Sequence, residues 1–114
     1  MLYVTTKTKA DDVIGSVGFR KFYDGIPNED PKKKEFLSAF NLLKEDCFVG
    51  NRIPQALWPT YYIKKYGIRN LWRYPLRSGW RITYTIINKK DGFVVCILEA
   101  LSHQEYEKRF GYRS

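Results

Sequence analysis

Hydrophobic positions change period along the chain, and the change divides it. Between Pro31 and Leu43 they recur at helical spacing: Phe36, Phe40 and Leu43 share one face, widened by Leu37 and Ala39, the stripe of a helix lying on a sheet. Asp30 is placed to cap that helix and Pro31 to open it, where a missing N–H costs nothing. Residues 47–53 break it, and a second short helix at 59–66 starts on Pro59 and stops at Gly67, with Lys64 and Lys65 complementing its negative end. From Ile68 the period becomes two, which predicts strands at 69–76, 80–87 and 93–101, with turns at 77–79 and 88–92 short enough for antiparallel hairpins. A short helix at 103–110 closes the chain. Residues 2–6 read as a first strand, and 11–30, where Gly15, Gly18, Gly25 and Pro27 interrupt apolar residues, as short pieces broken by turns. The expectation is one α+β domain over 1–114: a small twisted antiparallel sheet, N-terminal helices on one face, and a short C-terminal helix.

The turn at 77–79 sets a register. With Gly79 in the left-handed position, Leu76 falls opposite Trp80, Tyr74 opposite Ile82 and Trp72 opposite Tyr84, an apolar face that belongs to the core. The other face then carries Arg73 opposite Thr83 and Pro75 opposite Arg81, so two arginines distant in sequence leave the sheet on one side.

Charge sharpens this. The chain has 20 Lys+Arg against 12 Asp+Glu, a net +8 that favours anionic partners. Between Asn51 and Asn88 there are seven cations, Arg52, Lys64, Lys65, Arg69, Arg73, Arg77 and Arg81, and no Asp or Glu. Aromatic rings interleave with them, a mixture suited to phosphate contact and base stacking, although Trp72, Tyr74, Trp80 and Tyr84 are assigned to packing. Two guanidinium groups without a carboxylate suit a phosphodiester better than a structural salt bridge; the competing reading is a solvated outer face. For Lys32, Lys33 and Lys34 the solvated face is the default.

Several classes are disfavoured. Cys47 and Cys96 are far apart and, with one histidine, make neither a disulfide framework nor an ordinary zinc site. No apolar run reaches the ~18 residues of a membrane span, and the first residues lack the core of a signal peptide. A soluble cytoplasmic protein without cofactor, metal or membrane partner is expected.

The single histidine, His103, follows the last strand, and Tyr106 and Phe110 share its helical face. Cleaving RNA without a metal requires a base for the ribose 2′-OH, cations for the charge gathering on the phosphoryl oxygens, and an acid for the leaving 5′-oxygen. His103 is the candidate for proton transfer, Arg73 and Arg81 for charge stabilisation, and Tyr106 for a second proton or for stacking; Arg69, Arg77, Lys64 and Lys65 are candidate RNA-binding cations.

The run from Leu71 to Tyr84, a basic strand turning through Ser78-Gly79 into Trp80-Arg81-Ile82, resembles the hairpin of the RelE/ParE toxin superfamily. Val94 to Leu101 resembles its last strand, and Ser102 to Phe110 the His-containing tail of several branches. The resemblance covers roughly Asn70 to Tyr112 and implies helices packed on a twisted antiparallel sheet. It further implies metal-independent endoribonuclease cleavage of mRNA, often on the ribosome, antagonised by a cognate antitoxin. By position it makes Arg73 a substrate-facing cation, Arg81 the arginine after Gly-aromatic, His103 the post-strand catalytic residue and Tyr106 the tail aromatic. Pro75 departs from the pattern, since a second cation often stands there, and residues 1–53 are longer than the usual helical hairpin. The alternative within the superfamily is a non-catalytic protein that binds nucleic acid or, like the ParE branch, inhibits DNA gyrase; outside it, an interaction module docking an acidic protein.

Overall fold

The computed structural model describes residues 7–111. In chain order the elements are β1 (Asp12–Gly15), α1 (Val17–Asp24), α2 (Pro31–Glu45), β2 (Asn51–Arg52), α3 (Thr60–Tyr66), β3 (Trp72–Pro75), β4 (Arg81–Lys89), β5 (Gly92–Leu101) and α4 (His103–Phe110), with a single 3-10 turn at Gln55–Leu57. They form an α+β fold around one five-stranded sheet of order β1-β5-β4-β3-β2. The expected strand at 2–6 lies outside the described residues.

Locally coded features stand where the pattern placed them. Asp30 caps α2 by accepting from the Lys32 N–H at 2.9 Å, and Pro31 sits in its first turn. Gly67, at φ 59°, ends α3 in the left-handed conformation that a side chain would resist. The β3–β4 hairpin has the expected register, Trp72↔Tyr84, Arg73↔Thr83, Tyr74↔Ile82 and Pro75↔Arg81, with Gly79 at φ 93°. β3 begins only at Trp72: at Asn70 the side-chain amide, not the backbone, pairs with Ile86, accepting from its N–H at 2.7 Å and donating to its carbonyl at 2.8 Å.

The sheet is mixed rather than antiparallel. Four strands alternate in direction, but β1 lies parallel on β5, Val13 opposite Val95. A parallel neighbour needs a long crossover, here supplied by most of the chain. Ser16 fixes the junction: its N–H donates to Ile97 O and its hydroxyl to Leu98 O, both at 2.8 Å, while the same hydroxyl accepts from Phe19 N–H and caps α1. One serine thus ends the strand on β5 and starts the helix that covers it. Residues 11–30, without an assigned role from sequence, form this unit.

Both faces of the sheet are covered, not only the one on which the N-terminal helices were expected. On one face α1 and α2 bury Phe19, Phe36, Ala39 and Leu43 against Trp72, Ile82, Tyr84, Ile86, Val95 and Ile97. Leu37, expected on that stripe, is instead 51% exposed, one residue beyond the contacting arc. On the opposite face Tyr62 of α3 and Leu98 of β5 pack with Ile53, Ile68 and Leu71, joined by Phe110 of α4. A β-bulge between Thr83 and Tyr84 of β4 makes Leu98 the extra residue of β5. Beyond it the alternation shifts by one, so Glu99 leaves the aromatic core side for the α3/α4 side. There it meets Arg109 at 2.9 Å. At the hairpin tip Glu35 of α2 accepts from the Ser78 backbone N–H at 3.1 Å and hydroxyl at 2.6 Å, tying the turn to the helix layer.

No helix among the described residues is long and apolar enough to cross a membrane. Cys47 and Cys96 are free thiols, and burial pushes both up, away from the reactive thiolate form.

Candidate nucleic-acid site

Arg73 on β3 and Arg81 on β4 do leave the sheet on one face. Because Arg73 pairs with Thr83, Arg81 is its diagonal neighbour across the ladder, a relation that puts backbones about 7–8 Å apart. Tyr106 of α4 lies between them. The tyrosine is 1% exposed, with the Arg81 Cζ 4.9 Å and the Arg73 Cζ 5.6 Å from its ring centre. Arg73 Nη1 also donates to the Tyr106 hydroxyl at 3.1 Å, and Phe110 stacks on the ring at 4.4 Å. The electron-rich ring attracts both guanidinium groups and so ties the two arginines to one side chain.

That arrangement concentrates positive charge. Two like charges drawn to one ring repel each other, and more strongly at a protein surface than in bulk water. Among the described residues no carboxylate forms a salt bridge with either arginine; Glu99 is taken by Arg109, and Glu107 meets the ring of His103. Arg109 shows the contrast. Burial alone would lower its pKa, but Glu99 beside it raises it on balance, as in a structural pair. Arg73 and Arg81 have a ring and a hydroxyl instead, so an anion arriving there relieves repulsion and displaces no counter-charge.

The position of His103 follows from how α4 begins. Ser102 accepts from Glu105 N–H at 3.2 Å while Glu105 Oε1 accepts from Ser102 N–H at 2.9 Å, a reciprocal capping box directly after β5. Helical geometry then turns Tyr106 inward and leaves His103 exposed. Arg81 Nη1 lies 3.0 Å from His103 Nδ1, and His103 Nε2 lies 2.7 Å from Glu107 Oε1. The four candidates Arg73, Arg81, His103 and Tyr106 therefore form one chain of contacts. Tyr106 has no ring face open to a base, which argues against its role as a stacking platform.

The other candidate cations are exposed and dispersed. Lys64 and Lys65 end α3, with Lys65 Nζ donating to the Tyr61 hydroxyl at 2.9 Å. Arg69 borders a cleft of about 560 Å³ with Tyr66, Asn70 and Thr85, and Arg77 one of about 390 Å³ with Glu35 and Tyr74. Sequence reasoning missed Glu107, although its i,i+4 spacing from His103 on a predicted helix was a signal. It also missed Lys32, whose Nζ lies 4.4 Å from the Trp80 ring centre beside the hairpin; its partner is 48 residues away, and no local pattern marks it.

No protein-family model, curated protein sequence or solved structure matches this chain.

Proposed function

We propose that the protein is a toxin-type endoribonuclease of the RelE/ParE kind that cleaves mRNA through attack of the ribose 2′-OH on the adjacent phosphodiester. The observation that carries the reading is the pair of guanidinium groups over Tyr106, without carboxylate partners, in contact with an exposed imidazole. Arg73 and Arg81 would hold the non-bridging oxygens and stabilise their growing charge. His103 would take the 2′-OH proton as the 2′-oxygen bonds to phosphorus and the bond to the 5′-oxygen breaks, giving a 2′,3′-cyclic phosphate and a 5′-OH end. One imidazole cannot serve as base and acid in the same pass, so the leaving 5′-oxygen takes its proton through the Tyr106 hydroxyl, an arginine, water or a group on the target. mRNA on the ribosome is the proposed substrate and a cognate antitoxin the proposed partner, both implied by the resemblance, in the cytoplasm.

The test is expression of wild type and His103→Ala in cells with mapping of new RNA 5′ ends. Growth arrest with new ends for the wild type, and loss of both in the variant, is expected from the 10²–10⁴-fold that a general base contributes. Equal growth and no cuts in either would remove the proposal.

A second reading is favoured by two observations: both ring nitrogens of His103 are already engaged, and Tyr106 is buried. A non-catalytic member that binds nucleic acid or DNA gyrase through the arginines would retain its effect in His103→Ala and lose it in Arg73→Ala and Arg81→Ala.

A further inference from the structure

The contacts of His103 impose a direction on its protons. Arginine has only donors, so the 3.0 Å contact from Arg81 Nη1 requires His103 Nδ1 to accept through its lone pair. The ring proton then resides on Nε2 and points at Glu107 Oε1, 2.7 Å away. A second ring proton would set two donors against each other at Nδ1. The network Arg81–His103–Glu107 is therefore that of a neutral imidazole with its basic nitrogen turned toward the arginine pair and capped by one of them.

We propose that Glu107 is a positioning residue that holds His103 in the Nε2–H tautomer, and that Arg81 masks the basic Nδ1 until a phosphodiester draws the guanidinium away. The proposal rests on the endoribonuclease reading for its catalytic consequence; the tautomer and the mask stand on geometry alone. Arg81 is suited to the exchange. It is held by neutral acceptors, His103 Nδ1 and the Gly79 carbonyl at 3.1 Å, together with the Tyr106 ring, and a charged phosphate oxygen makes a stronger hydrogen bond than either acceptor. The base is thus uncovered where the anion sits, beside the 2′-OH whose proton it would take. Glu107 then faces the imidazolium formed when Nδ1 takes that proton, and stabilises it through the same Nε2–H. The charged groups packed around His103 are Arg81 from β4 and Glu107 from α4, with Arg73 one step further across Tyr106.

Imidazole and guanidinium nitrogen NMR on the full chain tests this without relying on activity. The wild type should show the Nε2–H tautomer. Glu107→Gln, which keeps an acceptor oxygen, should preserve it; Glu107→Ala should keep it while Arg81 still caps Nδ1 and give a mixture once a phosphodiester draws Arg81 away. A fully 2′-O-methylated oligoribonucleotide, which has phosphodiesters but cannot be cleaved, should shift the Arg81 guanidinium and His103 Nδ1 signals together. In cleavage assays Glu107→Gln should slow the wild-type reaction about two- to fivefold, the reach of a partly exposed charge pair. An Nδ1–H tautomer in the wild type, an unchanged tautomer in Glu107→Ala with the oligonucleotide bound, or no response of Arg81 to the oligonucleotide would overturn the proposal. A wild type that follows the NMR expectations but cuts no RNA would support the positioning role and sink the nuclease reading alone.

Discussion

Removing the hydroxyl of Tyr84 should destabilise the fold far more than removing that of Tyr74. Tyr84 is fully buried on β4, its ring stacked on Trp72 with centres 6.1 Å apart. Its hydroxyl accepts from the Gly50 N–H at 3.1 Å and donates to the Cys47 carbonyl at 3.1 Å. Those two bonds bracket the loop between α2 and β2, and β2 pairs with the strand that carries Arg73. Tyr84→Phe keeps the ring and strands both backbone groups. A buried group left without a partner costs about 1–3 kcal/mol; the buried Cys47 end should cost toward the upper part of that range and the half-buried Gly50 end, which water reaches, toward the lower. The sum is about 2–4 kcal/mol, which for a domain of this size lowers Tm by roughly 10–20 °C. Urea unfolding followed by tryptophan fluorescence measures it, with an unchanged m-value as the sign that the ensembles compared are the same. Tyr74→Phe, at a half-buried position on β3, is the control and should stay within about 0.5 kcal/mol. If Tyr84→Phe were as mild as Tyr74→Phe, the loop would not depend on this hydroxyl and the reasoning would fail.

Gly50→Ala should cost about 1–3 kcal/mol in the same assay, because a methyl there overlaps the Tyr84 hydroxyl and the Arg73 carbonyl, and the latter is backbone that cannot step aside; a neutral effect would contradict the packing. Alkaline pH should also destabilise the protein: burial, reinforced at Tyr62 by Glu99, pushes the Tyr62 and Tyr84 phenols above the ordinary 10.0. Their contribution is complete below pH 10 and is lost as pH climbs toward the folded-state values, about 1.4 kcal/mol per group by pH 11. Thermal melts from pH 8 to 11 should show that decline and a shallower one in Tyr84→Phe; identical slopes would argue against it. For single-stranded RNA binding, Arg73→Ala and Arg81→Ala should each flatten the plot of log affinity against log salt by about 0.7. Anisotropy titrations that return the wild-type slope would remove these residues from the phosphate contacts.

Much of the fold was legible because its cues are local. Asp30-Pro31, the Gly67 stop and the Gly79 turn act over a few residues, and once the turn is set the period of two decides which side chains oppose each other. That logic alone put Arg73 and Arg81 on one face and His103 at the start of a helix. Features that depend on distant partners were not legible. Parallel docking of β1 on β5 depends on Ser16 reaching Ile97 and Leu98. The bulge at Leu98, hidden in an apolar run, decides that Glu99 meets Arg109 rather than the aromatic core. Periodicity assigns a residue to a face but not what covers that face, so the closure of the arginine side by α3 and α4 lay beyond it. Local cues are enough for the hairpin, its register and a carboxylate-free basic segment; that Tyr106 became a buried ring in contact with two guanidinium groups followed from the packing of α4 on the sheet, because burial and charge pairing depend on contacts between elements far apart in the chain.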